Sequence, residues 1–394
     1  MPGDTRASTG TSETHGTTSR PSTPHSKKDG WDGKLRVQKQ ATLTNPEALE
    51  DSDYSDADAP AVEAIEADED LLDGEDPETE EIEVQHSRVS SIPALRLERF
   101  QKLRRLGLRQ NHIQQIELPA GLAGTLEELE LYDNLIKHVE GLEAFTQLTS
   151  LDLSYNKLKH IKNLGTLKKL DHIYLVQNRI SKIENLHALT QLVYLELGAN
   201  RIKEIQGLET LTNLEHLWLG QNRIAALRGL DTLANLRTLS IQANRLTSLA
   251  GLETLPHLTE LYVSDNQIPS LEPLRQNTRL AILDFQSNPI ASLSGIEGLT
   301  ELENLWASNC QIEDFRELDR ALRDKGKLEE VYFEGNPIQR VAPVLYRNKV
   351  KLALPQVVKI DASKFRFVIC VGFGMRRAWA AADDPSSLCQ GVVM

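Results

Sequence analysis

Asparagine returns every 22 residues through the middle of the chain, at Asn134, Asn156, Asn178, Asn200, Asn222, Asn244, Asn266 and Asn288. Each closes the phrase Leu-x-x-Leu-x-Leu-x-x-Asn-x-Ile/Leu, as in Leu148, Leu151, Leu153, Asn156 and Leu158. A period of this length means one small unit copied along an axis, each copy unable to bury its apolar face alone. Within the phrase the last two leucines flank a single residue. The two-residue repeat of a strand therefore points both leucines inward and the residue between them outward. The return segments add an apolar ladder of their own through Leu142, Leu164, Leu186, Leu208, Leu230, Leu252, Leu274 and Ile296. A second runs through Phe145, Leu167, Leu189, Leu211, Leu233, Leu255 and Leu299, broken at Asn277. A buried carboxamide must be satisfied, so the Asn column is read as structural, bonding the backbone of adjacent turns.

The chain is thus predicted to be an α/β repeat solenoid. It is a leucine-rich-repeat horseshoe with 22-residue units, a parallel concave sheet and a C-terminal cap. Eleven strand motifs are expected within residues 85–340, the tenth with Cys310 in place of Asn. The eleventh follows after 26 residues, and Glu317–Lys327 are expected to lengthen its return helix. The cap is assigned to 341–367, with Val341, Val344, Leu345, Val350, Leu352, Leu354, Val357, Val358 and Ile360 closing the open core, and a helix near 345–353 ended by Pro355. Residues 368–394 are an extension without assigned function.

Charge is unevenly distributed. No Lys or Arg lies between Lys39 and Arg88, and 18 Asp and Glu fall from Glu47 to Glu83. Taking that −18 from the total of −13 leaves +5 for the remainder. Residues 1–84 are therefore expected to be an acidic disordered region, with Ser52 and Ser55 weak candidates for an acid-directed kinase. The repeats lack a basic face suited to nucleic acid. Three scattered cysteines, Cys310, Cys370 and Cys389, do not make a disulfide framework, which points to a reducing intracellular compartment. The first 30 residues lack an apolar signal segment and no apolar run approaches a membrane span.

Function is expected on the outward column between the paired leucines. It reads Gly107, Glu130, Asp152, Tyr174, Glu196, Trp218, Ser240, Tyr262, Asp284, Trp306, Tyr332. Aromatics make up 5% of the chain, yet five of these 11 positions hold one, with four acids and no Lys or Arg. Tyr and Trp are the usual anchors of protein interfaces, and the acids would meet cations on a partner and set register. Tyr132, Tyr194, His172, His216 and Asn304 flank the column. Glu130 and Asp152 sit on adjacent strands like a carboxylate pair, but no nucleophile and base accompany them. Neither catalysis, a metal nor a cofactor is expected. Gly372-Phe373-Gly374 lacks the rest of a dinucleotide fingerprint.

These residues carry a resemblance. The phrases Leu131-Tyr132-Asp133-Asn134, Ile183-Glu184-Asn185-Leu186 and Leu195-Glu196-Leu197-Gly198, the long unit before Val331-Tyr332, and the closing Leu352-Ala353-Leu354-Pro355 through Ile360-Asp361-Ala362 are similar to the leucine-rich-repeat regulatory subunit of type 1 protein phosphatase. The resemblance spans about residues 85–367. It implies a non-enzymatic regulator that binds the phosphatase catalytic subunit through its concave face, together with a small inhibitor protein, in nucleus and cytoplasm. Contacts implied by position are Asp152, Tyr174, Glu196, Trp218, Asp284, Trp306 and Tyr332. Tyr174 and Trp218 stand where the family commonly has Phe, and Asn304 where it has an acid. The phosphatase's short basic-Val-x-Phe docking motif is not present. The alternative is a repeat scaffold for another partner, such as a cytoskeletal or ciliary protein.

Overall fold

A computed structural model describes residues 71–361 and the backbone of 363–364. The remaining residues, including Ser52, Ser55 and the extension 368–394, lie outside the described part. The described chain builds one 14-stranded sheet whose strands follow sequence order. They are β1 (Glu81–Glu83), β2 (Arg105–Gly107), β3 (Glu128–Glu130), β4 (Ser150–Asp152), β5 (His172–Tyr174), β6 (Tyr194–Glu196) and β7 (His216–Trp218). They continue with β8 (Thr238–Ser240), β9 (Glu260–Tyr262), β10 (Ile282–Asp284), β11 (Asn304–Trp306), β12 (Glu330–Tyr332), β13 (Lys359–Ile360) and β14 (Ser363–Lys364). β1 to β13 are parallel, and β14 turns back antiparallel to β13. The eleven expected motifs are β2 to β12.

Each of β1 to β12 is only three residues because its unit must turn back to begin the next. The central residue is buried throughout, from Leu106 and Leu129 to Leu305 and Val331, at 0–1% exposure. The chain leaves the sheet through a residue in the left-handed region just ahead of each Asn, a glycine only at Gly335 before Asn336. Tyr155, Gln177, Ala199, Gln221 and Ala243 have φ between 51° and 56°. That conformation costs an L-residue about 1–2 kcal/mol, and the Asn that follows stabilises it. The Asn156 amide donates to the carbonyls of Leu131 (2.9 Å), Leu153 (3.1 Å) and Ser154 (3.1 Å). Its Oδ1 accepts the N–H of Ile136 at 2.9 Å. The same set recurs at Asn178, Asn200 and Asn222, so each carboxamide ties two consecutive units.

Cys310 breaks this pattern in an instructive way. Its thiol donates to the carbonyls of Phe285 (3.5 Å) and Ser308 (3.6 Å), reproducing the donor half of an asparagine. A thiol is a weak acceptor, and the N–H of Ile290 turns instead to the carbonyl of Asn288 at 2.8 Å. Burial pushes the thiol up to about 11, so it is not a reactive nucleophile. Asn277, where the second ladder is interrupted, is 2% exposed and donates to the carbonyls of Leu252 and Leu255.

Both ends of the sheet differ from expectation. The sheet starts with β1, ahead of the expected boundary at residue 85. Ile82 and Val84 alternate inward while their acidic neighbours face out, a strand hidden in an acidic run. Leu72 is buried too, and Asp73, Glu78, Glu80 and Glu81 pair with Arg99, Lys102, Arg104 and Arg105. At the other end the long unit forms α1 (Phe315–Leu322), N-capped by Asp314, whose carboxylate accepts the Arg316 N–H at 2.9 Å. α2 (Pro337–Val341) and α3 (Tyr346–Ala353) lead to β13. Val350, Leu354, Val357 and Ile360 close the core, whereas Val341, Val344, Leu345, Leu352 and Val358 are exposed, from 50% to 90%. The difference follows from geometry: α3 turns one face inward, and Leu345 and Leu352, seven residues apart, lie together on the other. Asp361 takes over the final acceptor role, with Oδ1 accepting the N–H of Phe333 at 3.0 Å and the Tyr346 hydroxyl at 3.2 Å.

Replacing Asn200 by Ala strands the buried Ile180 N–H and leaves the Leu175 carbonyl with the Asn178 amide alone. A loss of about 1–3 kcal/mol is expected in urea unfolding. Leu195→Ala in the adjacent strand is expected to lose about 2–5 kcal/mol.

Candidate functional site

The third residue of each strand forms the expected outward column, and the register is unbroken. Glu130 pairs with Asp152, Asp152 with Tyr174, Tyr174 with Glu196, Glu196 with Trp218, and Trp218 with Ser240. Ser240 pairs with Tyr262, Tyr262 with Asp284, Asp284 with Trp306, and Trp306 with Tyr332. Trp218 and Trp306 therefore share one face, and both are half-buried.

The rings touch across alternate strands. Trp218 and Tyr262 stack with centroids 6.0 Å apart, passing over Ser240. Tyr262 and Trp306 meet at 6.1 Å over Asp284, and Trp306 meets Tyr332 edge-on at 6.3 Å. Strands two apart are separated by about 9.6 Å, so the rings lean together over the small residue between them. Ser240 is consequently 0% exposed and Asp284 only 7%. Asp284 is thus a correction to the expected surface contacts: it lies beneath the rings and accepts the Gln286 N–H at 3.1 Å. The indole N–H groups of both tryptophans are buried and have no acceptor among the described residues.

Tyr194, on the flanking column, extends the array. It lies 5.1 Å from Tyr174, 5.7 Å from His172, 5.8 Å from His216 and 6.4 Å from Trp218. Standing in register between His172 and His216, it separates the two histidines. Among the described residues no group of three or more His, Cys, Asp or Glu is placed to hold a metal. Asn304 opens β11 in register between Ile282 and Glu330. Glu330 binds the Lys359 amine at 2.9 Å, and that amine lies 5.3 Å from the Tyr332 ring centre.

The acids are not equivalent. Glu130 is paired with Arg109 at 2.5 Å, a cation that reaches the column from two residues beyond β2. Asp152 accepts the Ser154 N–H at 2.8 Å, and Glu196 accepts the Tyr194 hydroxyl at 3.3 Å. Burial raises the carboxyls of Asp152, Glu196 and Asp284 above their usual range. Burial also pushes the Tyr262 hydroxyl up to about 12, so it stays a neutral donor to Glu260. Glu130 thus has an Arg partner and Asp152 a backbone partner. Beside Trp218, Gly198 and Gly220 floor an open hollow of about 660 Å³, bounded by Glu196, Gln221 and Gln242. Reading side chains off the repeat phrase alone missed Arg109, Lys359 and this hollow, because each depends on a residue outside the three-residue strands of the repeats.

Known proteins place the chain in context. A family profile described as leucine-rich repeat matches residues 128–251, and one of two leucine-rich-repeat copies matches 234–276. A solved internalin of Listeria monocytogenes superposes with a TM-score of 0.58 at 23% identity, over 73% of this chain and 87% of that one. A leucine-rich-repeat protein of Leptospira interrogans gives 0.55 at 24%, over 67% and 74%. These two establish the fold. The protein phosphatase 1 regulatory subunit SDS22 of Saccharomyces cerevisiae is 44% identical over 105 residues, 26% of this chain and 31% of that protein. Its counterpart in Schizosaccharomyces pombe is 48% identical over 86 residues, 22% and 25%. The matched stretch thus spans a third or less of either relative. The chain has the leucine-rich-repeat fold, and its repeats are similar to those of the SDS22 regulatory subunits of protein phosphatase 1.

Proposed function

We propose that the concave face docks the catalytic subunit of type 1 protein phosphatase and regulates it, the chain itself doing no chemistry. The observation that carries this reading is the single in-register line of half-buried rings and acids on repeats similar to phosphatase regulatory subunits. Pre-stacked rings lose little freedom on binding, which favours them as anchors. Tyr174, Tyr194, Trp218, Tyr262, Trp306 and Tyr332 form the apolar contact, and Asp152 and Glu196 meet Lys or Arg of the partner. Glu130 is held by Arg109 and Asp284 supports the rings from beneath, so both act indirectly. Asn304 lines the C-terminal end of the same face. A small inhibitor protein joining the complex, and residence in nucleus and cytoplasm, belong to the same reading.

Immobilised full chain is expected to retain the phosphatase from a cell lysate, and Trp218→Ala/Trp306→Ala to release it, each anchor costing about 2–4 kcal/mol. Undiminished retention by the double variant, or no retention by the natural chain, would defeat the reading. Retention of a cytoskeletal or ciliary protein instead would favour the scaffold alternative.

The raised carboxyls add a pH signature. Asp152 and Glu196 become protonated at higher pH than exposed acids, and a cationic partner needs them ionised. Affinity is expected to fall as the pH drops from neutral towards the carboxylate range. Asp152→Asn/Glu196→Gln is expected to bind more weakly at neutral pH and to flatten that decline, as read by interferometry at constant ionic strength.

A further inference from the structure

The C-terminal cap closes the core on one side and presents an apolar face on the other. Among the described residues seven large apolar side chains are exposed, and five of them lie within residues 341–358. They are Val341 (83%), Val344 (90%), Leu345 (55%), Leu352 (78%) and Val358 (50%). Leu345 and Leu352 stand near the two ends of α3, about 10 Å apart along its axis, on the side opposite the buried Val350. Between α3 and Val358 the chain makes a tight reversal. The Lys351 amine donates to the carbonyls of Pro355 and Val357, and the Val357 N–H donates to that of Leu354 at 3.2 Å. Single exposed apolar residues are ordinary, but a group of them marks a contact surface.

The chain itself supplies an occupant. β14 turns back on β13 with Ser363 opposite Ile360 and Lys364 opposite Lys359. In that register each further residue moves one position back along the partner, so Phe365 falls opposite Val358. Directly opposite side chains of an antiparallel pair share one face, about 4.5–5.5 Å apart at Cβ. From there the chain is aimed past residues 357–354 towards Leu352. The residues that follow suit an apolar face: Phe365, Phe367, Val368, Ile369, Cys370, Val371 and Phe373, with Arg366 the one charge from 365 to 373. An extended chain advances about 3.4 Å per residue, so this segment reaches about 27 Å. That exceeds the length of α3, about 12 Å.

We propose that residues 365–373 dock on this face, Phe365 against Val358 and the residues after it over Leu352 and Leu345, as the outermost cover of the solenoid end. The last unit of a solenoid has no neighbour and needs such a cover. Val350, Leu354, Val357 and Ile360 seal its inner side, and the tail seals the apolar side that they leave open. A tail tethered at the rim of its own site acts at an effective concentration on the order of millimolar. A separate partner or a second copy of the chain has to displace it. The inference rests on neither the phosphatase nor the aromatic column.

Two measurements on the full chain test this. The first is thermal unfolding of the natural chain, of Leu345→Gln/Leu352→Gln, of Phe367→Ser/Ile369→Ser, and of the four changes combined. Phe367 and Ile369 fall on the same side of an extended chain as Phe365. Each pair is expected to lower the melting temperature by about 2–4 °C, and the combination by less than the sum, because both pairs remove one contact. The second is disulfide trapping in a Cys370→Ser/Cys389→Ser background, which leaves the buried Cys310 as the one native thiol. Val358→Cys/Phe365→Cys is expected to close an intramolecular disulfide, since opposed residues meet the Cα separation of about 4.4–6.8 Å that the bond needs. Arg366→Cys in place of Phe365→Cys points to the other side and is expected to close it in much lower yield. The proposal is overturned if Leu345→Gln/Leu352→Gln melts with the natural chain, as side chains left in water would, or if the two pairs of changes are additive. Equal trapping at Arg366→Cys, or disulfide-linked dimers in place of the intramolecular bond, overturns it as well, the dimers assigning the face to a second copy.

Discussion

The buried asparagine carboxamide is the interaction on which the rest of the molecule depends. A strand of three residues has too few ladder bonds to hold a turn, and the left-handed residue at its exit is itself unfavourable. One side chain offering two donors and an acceptor resolves both problems. It satisfies carbonyls of its own and the preceding unit and takes the N–H of that preceding unit. Because each carboxamide spans two units, no repeat is stable alone, and the solenoid behaves as a chain of nearest-neighbour contacts. Cys310 marks how far this can bend: a thiol replaces the donor, and the orphaned N–H finds a local carbonyl.

A constraint of that kind has a consequence for the surface. Once units cannot slip relative to one another, every third strand residue falls on one line, and every residue beyond an Asn falls on another. The first line carries rings and acids, and the second carries Lys157, Arg179, Arg201, Arg223 and Arg245 over five consecutive units. Two faces of opposite character thus arise from one backbone rule, separated by the glycine-floored hollow beside Trp218. The aromatic line also organises itself. Large rings on alternate strands need small neighbours, and Ser240 and Asp284 fill those places beneath them.

The repeat core was legible in the sequence because burial acts on it with a fixed period. Leu151, Leu153, Asn156 and their copies are all found where spacing places them. The ends were less legible because no period operates there. Ile82 and Val84 form the first strand from within a run of acids whose charge hid the alternation. At the cap, apolar residues read as core divided by helix face, with Val350 buried and Leu352 exposed.

What the sequence determined by itself was the architecture and the ordering of its surface columns, since period and residue type are sufficient to set which side each residue takes. What only the tertiary structure decided was how neighbours across units modify one another. Arg109 crosses to Glu130, Lys359 reaches Glu330 and Tyr332, and two rings close over Asp284. These contacts join residues about a repeat or more apart through side-chain reach and sheet curvature, quantities that a one-dimensional pattern does not contain.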